Sequence, residues 1–333
     1  MTSSAALPRI ALVATGGTIQ LEGRNRLDNA HYAQVRKTVT ASQLLERIQE
    51  VQSIATVEVI DFGWRRNVEP ESWPDLSRLV ANLLGERGFD GVVLTHGTST
   101  LEETAYFLHL TVKTRRPIVI TGSMRPPSSI SSDADLNLLN AVRTAVFPDC
   151  AGLGVLVVLN DTIHCAREAT KTATYRLQTF QSPDLGPLGY ADADGQVAIQ
   201  RQPRQVHTWQ SEITAPRGVL PRVDIVVSYP GQDGWAIDAA VAARARGIVL
   251  AGTGAGGRTD GEDAALDRAL AAGVAVVLAS RTGSGRVALN PLVQARGIIA
   301  GNDLSPWKAR VLLMLALDAT RDPKSLQEFF DRY

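Results

Sequence analysis

The chain has 333 residues, 44% of them hydrophobic and 20% charged, and no low-complexity run, so it is long enough to bury one or two substantial cores. Lys plus Arg and Asp plus Glu each number 34, which gives zero formal net charge; without a basic stripe, nucleic acid is excluded as an expected partner. The longest apolar runs, such as 274–279 and 311–317, are too short to cross a bilayer, and residues 1–8 lack the basic start and apolar core of a signal peptide. No membrane partner is expected, the cytoplasm is the expected location, and Cys150 and Cys165 do not read as a disulfide framework.

An apolar run from Ile10 ends in Ala14-Thr15-Gly16-Gly17-Thr18-Ile19: a predicted strand, a glycine pair free to turn sharply, and a hydroxyl just beyond. Alone, Gly16-Gly17 reads as a loop or a weak phosphate cradle, without the lysine or the spacing of a P-loop. A second strand over 57–62 ends in Gly63-Trp64-Arg65. The strand 91–95 is short, β-branched and apolar, as in a parallel sheet covered on both faces. It enters His96-Gly97-Thr98-Ser99, after which Thr100-Leu101-Glu102-Glu103 reads as a capping box that opens a helix. The free N–H groups of that helix face the hydroxyls of Thr98 and Ser99, a place that favours developing negative charge, although such residues also serve as plain caps and turns. A strand over 154–159 leads to Thr170-Lys171-Thr172. Lys171 reads as a general base if burial lowers its pKa, or as a solvated surface charge.

From Ile10 to about Pro183 strands alternate with helical patterns, which predicts a mostly parallel sheet with flanking helices. The polar segment 192–221, with Pro203, Pro216 and Pro221, reads as a hairpin followed by a linker. A second alternation follows: strands over 223–228, 247–251 and 274–278, helices over 237–246 and 263–272, and a last helix from Pro306 or Trp307 to about Ala319. The expected organisation is a domain over 1–200, a linker over 201–221 and a smaller α/β domain over 222–333.

Taken together, these segments resemble the bacterial-type L-asparaginase and glutaminase family. The resemblance runs along nearly the whole chain and includes Arg116-Pro117-Ile118-Val119-Ile120-Thr121-Gly122-Ser123-Met124-Arg125-Pro126, Asp133-Ala134-Asp135-Leu136-Asn137, Gly186-Pro187-Leu188-Gly189-Tyr190 and Lys308-Ala309-Arg310-Val311-Leu312-Leu313, in the family's order. It implies a two-domain asparaginase-like α/β fold and hydrolysis of a small-molecule primary amide through a threonyl acyl-enzyme, without metal or organic cofactor. Thr18 matches the family's nucleophile, which needs activation because a hydroxyl is a poor nucleophile at neutral pH. Tyr32, on the lid loop 21–39, matches an assisting tyrosine; Thr98 and Lys171 match a second hydroxyl and base pair. Backbone N–H groups at the two turns, Gly17-Thr18 and Gly97-Thr98, would bind substrate and stabilise an oxyanion. The resemblance also implies a homo-oligomer, a tetramer built from tight dimers, with each site completed by a neighbour.

The departures from the family converge on one ligand group. Where the family holds an α-ammonium with an aspartate, this chain has Ser99; where it has a serine and a glutamine, this chain has Trp64 and Arg65; the neighbour's asparagine and glutamate fall at Ala255 and Asn290. An ammonium beside an unpaired arginine is disfavoured by about 1–4 kcal/mol at contact distance. The expected substrate is therefore a carboxamide without an α-ammonium, carrying a carboxylate for Arg65 or Arg66; the alternative is ordinary L-asparaginase activity, with Asp61, Glu69 or Glu71 supplying the carboxylate. Loss of the aspartate also moves Lys171 toward the neutral form unless a carboxylate such as Glu168 restores an ion pair.

Two other functions compete. Gly252-Thr253-Gly254-Ala255-Gly256-Gly257 matches G-x-G-x-x-G, but the next strand ends in Ser280-Arg281 rather than in an acidic residue. A non-catalytic binder of the same fold has little use for two hydroxyl centres and a lysine. The five histidines are scattered, with no metal-ligand spacing.

Overall fold

Aliphatic runs bounded by glycine turns become the central strands of a first compact unit, which ends at Ser211; Glu212–Tyr333 form a second. The structure, a computed structural model, describes residues 6–65 and 67–333, so Arg66 lies outside the described residues. In the first unit the strands are β1 (Arg9–Gly16), β2 (Thr56–Arg65), β3 (Gly91–Thr95), β4 (Ile118–Thr121), β5 (Val155–Leu159), β6 (Thr162–Cys165), β7 (Thr170–Lys171), β8 (Phe180–Gln181), β9 (Gly189–Ala191) and β10 (Val197–Ile199). The α-helices are α1 (Ala41–Glu46), α2 (Trp73–Leu84), α3 (Leu101–Thr111) and α4 (Ala134–Val146).

Eight of these strands form one sheet in the order β10-β9-β6-β5-β4-β3-β1-β2, parallel from β2 to β5 and antiparallel beyond. Both faces are covered, as the unbroken apolar runs require. On one face Ile10, Leu12, Val93, Val119, Leu156 and Val158 pack with Leu138, Ala141 and Val142 of α4. The alternate residues Ala11, Val13, Val92, Leu94, Ile118 and Ile120 are equally buried, and α2 and α3 contact the sheet at β3 and β5. Trp73 joins those two helices: its Nε1 donates to Val68 O (3.0 Å) and Thr104 Oγ1 (3.2 Å), and its ring lies 5.4 Å from that of Phe107.

The second unit is a four-stranded parallel sheet, β11 (Val223–Val227), β12 (Gly247–Gly252), β13 (Ala275–Ser280) and β14 (Ile299–Ala300) in that order. Its helices are α5 (Trp235–Ala242), α6 (Asp260–Ala271), α7 (Pro291–Ala295), α8 (Pro306–Ala319) and α9 (Pro323–Arg332). Ile237, Ala240, Leu266 and Ala269 of α5 and α6 share a core with Ile248, Leu250, Val276 and Leu278.

Three expectations are corrected. The strand-helix alternation stops at Leu159, not near Pro183: Asn160 and Asp161, both with positive φ, turn the chain directly into the antiparallel β6, and short strands follow. The helix ending at Ala319 is not the last, because Asp322 caps a further helix through Ser325 N (2.9 Å) with Pro323 at its first position. Thr100 precedes α3 as expected, yet its side chain makes no capping bond.

Candidate active site

Parallel strands leave their C-terminal ends on one edge of the sheet, where loops are free to carry chemistry. Here Ala14 of β1 is paired with Thr95 of β3, so the turns after both strands begin side by side. Gly16 and Gly17 have φ of +109° and +88°. A Cβ on Gly17 would come within 2.4 Å of both Gly97 N and Gly97 Cα, so only glycine lets the two turns touch. That contact brings the Thr18 and Thr98 turns to one place.

Past the turn, buried Gln20 fastens the loop to the strand end: its Oε1 accepts from Gly16 N (2.9 Å), and its Nε2 donates to Val39 O (3.3 Å). The loop 21–39 is closed at its stem by Glu22 N donating to Lys37 O (2.8 Å) and Val39 N to Gln20 O (2.9 Å). Asp28 organises the tip by accepting from Arg24 N (3.0 Å) and His31 N (2.8 Å). Two further bonds fix the loop to the segment after β4: Gly23 N to Ser128 Oγ (2.9 Å) and Ile130 N to Arg26 O (2.9 Å). The structure thereby places the Tyr32 hydroxyl 2.9 Å from Thr18 Oγ1, both side chains half-buried.

At the second turn, Lys171 Nζ donates to Thr98 Oγ1 at 2.8 Å. Burial pushes the Lys171 ammonium below its ordinary pKa, while the Glu102 carboxylate opposes that shift. Glu102 belongs to α3, but its Oε1 accepts from Lys171 N (3.1 Å) and Thr170 Oγ1 (3.3 Å). Beneath the turn, fully buried His96 donates from Nδ1 to Gly97 O (2.8 Å), and burial holds its pKa down at about 4, so the ring is neutral. Behind Thr98, Gly122 has no room for a Cβ, which would lie 2.5 Å from His96 O. The loop it starts is bracketed by Asp133, which accepts from Met124 N and Arg125 N (2.9 Å each), and by Asn137 Nδ2, which donates to Gly122 O (3.0 Å). Burial raises the Asp133 pKa despite those donors.

Trp64 and Arg65 reach the site through a bulge. Ala14 pairs with Asp61 but Gly16 pairs with Arg65, so β2 carries extra residues there; Gly63 takes φ +89° and donates to Asp61 Oδ1 (2.8 Å). Trp64 Cδ1 lies 3.1 Å from the position of a Gly16 Cβ, and the indole is 47% exposed. The Arg65 guanidinium sits 5.2 Å from the Phe62 ring centroid, with no carboxylate among the described residues paired to it. Ser99 is exposed. Glu168 is ion-paired with Arg201, which makes it no counter-ion for Lys171.

The structure thus brings Thr18, Tyr32, Gly17, Gly97, Thr98, Lys171, Trp64 and Arg65 to the strand-end edge of the first unit. Ala255 and Asn290 belong to the second unit. Ala255 is exposed in a tight turn closed by Thr253 N to Gly257 O (2.8 Å) and Gly257 N to Thr253 O (2.6 Å). Asn290 is engaged as a helix cap, its Oδ1 accepting from Leu292 N (2.9 Å). The G-x-G-x-x-G stretch folds back on itself there. The helix after it, α6, opens with Asp260, Glu262 and Asp263 in its first turn, its Glu262 N–H taken by Thr259 Oγ1, so a pyrophosphate is repelled. Among the described residues no group of three or more His, Cys, Asp and Glu is placed to hold a metal ion, and no helix is long and apolar enough to cross a membrane.

Sequence reasoning missed Glu102, Gln20 and the Asp133–Asn137 bracket as supports of the site. Glu102 was legible only as an inner residue of the capping-box stretch.

Comparison with known proteins agrees with this architecture. Residues 9–205 match the asparaginase N-terminal family and residues 222–330 the glutaminase/asparaginase C-terminal domain. The chain is 40% identical to L-asparaginase 2 of Bacillus subtilis, over 98% of this chain and 87% of that one, and 37% identical to the probable periplasmic L-asparaginase of Haemophilus influenzae, over 100% and 95%. A crystal structure of a probable cytoplasmic L-asparaginase from Campylobacter jejuni superposes with a TM-score of 0.91 at 38% identity, covering 98% of this chain and 100% of that one. The chain belongs to the asparaginase family and is an amidohydrolase of that type.

Proposed function

We propose that the protein hydrolyses a primary carboxamide to a carboxylate and ammonia through an acyl-enzyme on Thr18. The observation that carries this reading is the close approach of Gly17 to Gly97, which sets the turns of Thr18 and Thr98 side by side on one edge. Thr18 Oγ1 attacks the amide carbon while its proton passes to the Tyr32 hydroxyl, which hands its own proton on toward the leaving nitrogen; the C–N bond breaks and the nitrogen departs as ammonia. Water then attacks the threonyl ester, aided by Thr98 and by Lys171, whose pKa burial lowers, and releases the carboxylate. Backbone N–H groups at the two turns would stabilise the oxyanion.

The preferred substrate lacks an α-ammonium and carries a carboxylate. Support comes from Ser99, neutral and exposed beside Thr98, and from Arg65, an unpaired cation beside Gly16 suited to a bidentate carboxylate. Half-amides such as succinamate or maleamate have that chemistry, and Trp64 offers an apolar face. A second reading, ordinary L-asparaginase activity, is favoured by the names of the Bacillus subtilis and Haemophilus influenzae relatives. The two separate in kcat/KM on one preparation: the deaminated half-amides are expected to exceed L-asparagine and L-glutamine by about tenfold or more, the equivalent of ~1.4 kcal/mol. Ser99→Asp combined with Arg65→Gln should return preference toward asparagine. A tenfold advantage for L-asparagine in the unmodified protein establishes the second reading instead.

The proposed active species is an oligomer, a tetramer of tight dimers, in the cytoplasm. Light scattering of the active preparation should give at least twice the 35.7 kDa of one chain, and a fully active monomer would refute this assembly.

A further inference from the structure

Ser99 stands where the family resemblance places an aspartate beside Lys171, and Glu168, three positions before Lys171, is committed to Arg201. The facing strand β8 brings Phe180 and Gln181, neither of which titrates, and the hairpin loop beyond carries Tyr175 and Arg176, both exposed. The remaining carboxylate acting on this lysine comes from α3. Glu102, 6% exposed, stands in the helix's first turn and reaches across to β7, where one oxygen accepts from both Lys171 N (3.1 Å) and Thr170 Oγ1 (3.3 Å).

We propose that Glu102 is a positioning residue for the Thr98–Lys171 pair, clamping the two-residue strand β7 to the first turn of α3 and serving as the counter-charge of Lys171 in place of the missing aspartate. The geometry gives it leverage on both partners. Thr98 lies three residues before α3, in the turn that leads into it, and Lys171 is carried by a strand whose ladder pairs only Thr170 with Gln181 and Lys171 with Phe180. A strand that short holds its direction poorly by its own ladder. The Glu102 bonds fix it to a helix instead, which sets the Nζ-to-Oγ1 approach at 2.8 Å. A carboxylate in the first turn is also favoured by the helix dipole.

This role rests on Thr98 and Lys171 acting together in the reaction, so Lys171→Met is measured alongside. Glu102→Gln keeps the volume and an acceptor oxygen while removing the charge; Glu102→Ala removes both. With the charge gone, burial alone acts on Lys171, and the pH at which its ammonium loses a proton falls. The expected result is a kcat loss of about 100-fold in Glu102→Ala and about tenfold in Glu102→Gln, KM changing less than about threefold in both, and the lysine-controlled limb of the Glu102→Gln pH–kcat profile displaced to lower pH. A purely structural Glu102 would lower the melting temperature without moving that limb. If Glu102→Ala does not fold, Glu102→Gln decides. An unshifted profile with undiminished kcat in Glu102→Gln, while Lys171→Met is inactive, overturns the positioning role; an active Lys171→Met overturns the underlying reading of the pair.

Discussion

Replacing Thr18 by alanine is expected to lower kcat for ammonia release by at least about 10⁴-fold while the melting temperature stays within a few degrees of the parent. The size follows from the chemistry. Without the hydroxyl no ester can form, and the remaining route is direct attack by water, helped only by substrate placement and the N–H donors of the turns. The folded state loses little, since Thr18 is half-buried and its side-chain partner is the Tyr32 hydroxyl, which can take water instead. The check is a steady-state assay with a coupled ammonia readout, joined to thermal unfolding of the same sample. Turnover near the parent rate in a pure Thr18→Ala preparation would remove Thr18 from the nucleophile's role.

Gly17→Ala is expected to have an effect of comparable size on activity but from a different cause. Its φ of +88°, with ψ of −177°, lies outside what an L side chain tolerates, at about 1–3 kcal/mol. The added carbon would also sit 2.4 Å from two backbone atoms of Gly97, neither of which can rotate away, so a strand end must move. Separation of the two turns pulls Thr18 from Thr98, and displacements of about 1 Å at reacting groups cost on the order of 100-fold in rate. The variant should therefore lose both stability, by several degrees in melting temperature, and nearly all turnover. A normal melting temperature with normal kcat would mean that the Gly17–Gly97 contact is dispensable.

Much of this was legible in the sequence because the informative signals are local. Strands β1, β3 and β5 are short aliphatic runs, and the glycine-hydroxyl turns after the first two announce themselves in consecutive residues. What escaped depends on distance in the chain. Glu102 was hidden inside a capping-box pattern, since Thr100 and Glu103 have the right spacing; yet Thr100 makes no side-chain cap, and the Glu102 carboxylate accepts from a strand residue 69 positions away. Gln20 and Asp133 are ordinary polar residues until their buried donors and acceptors are seen. The helix α9 was missed although Asp322-Pro323 is a start signal, because its buried face is only Leu326, Gln327 and Phe330 in a polar stretch. The bulge that presents Trp64 and Arg65 is a property of the pairing between β1 and β2, so no reading of either strand alone contains it.

The stem of the loop 21–39 has a consequence for how such proteins can diversify. Val39, at the end of the loop, is tied to Gln20, and Gln20 is tied to the backbone of Gly16, so the stem is anchored at the Thr18 turn itself, in addition to the bonds that Gly23 and Arg26 make to the segment after β4. Residues inserted near its exposed tip, around Leu27, would be paid out beyond that anchor, and doubling a flexible loop costs only about 0.6 kcal/mol in closure entropy. The tip is thus the part of the molecule where length can be tried and discarded most freely. The aromatic hydroxyl it delivers is the part that must return to the same spot each time, so variation in this region should trade the reach of the tip against the 310 turn carrying Tyr32, leaving the strand edge and its glycines untouched.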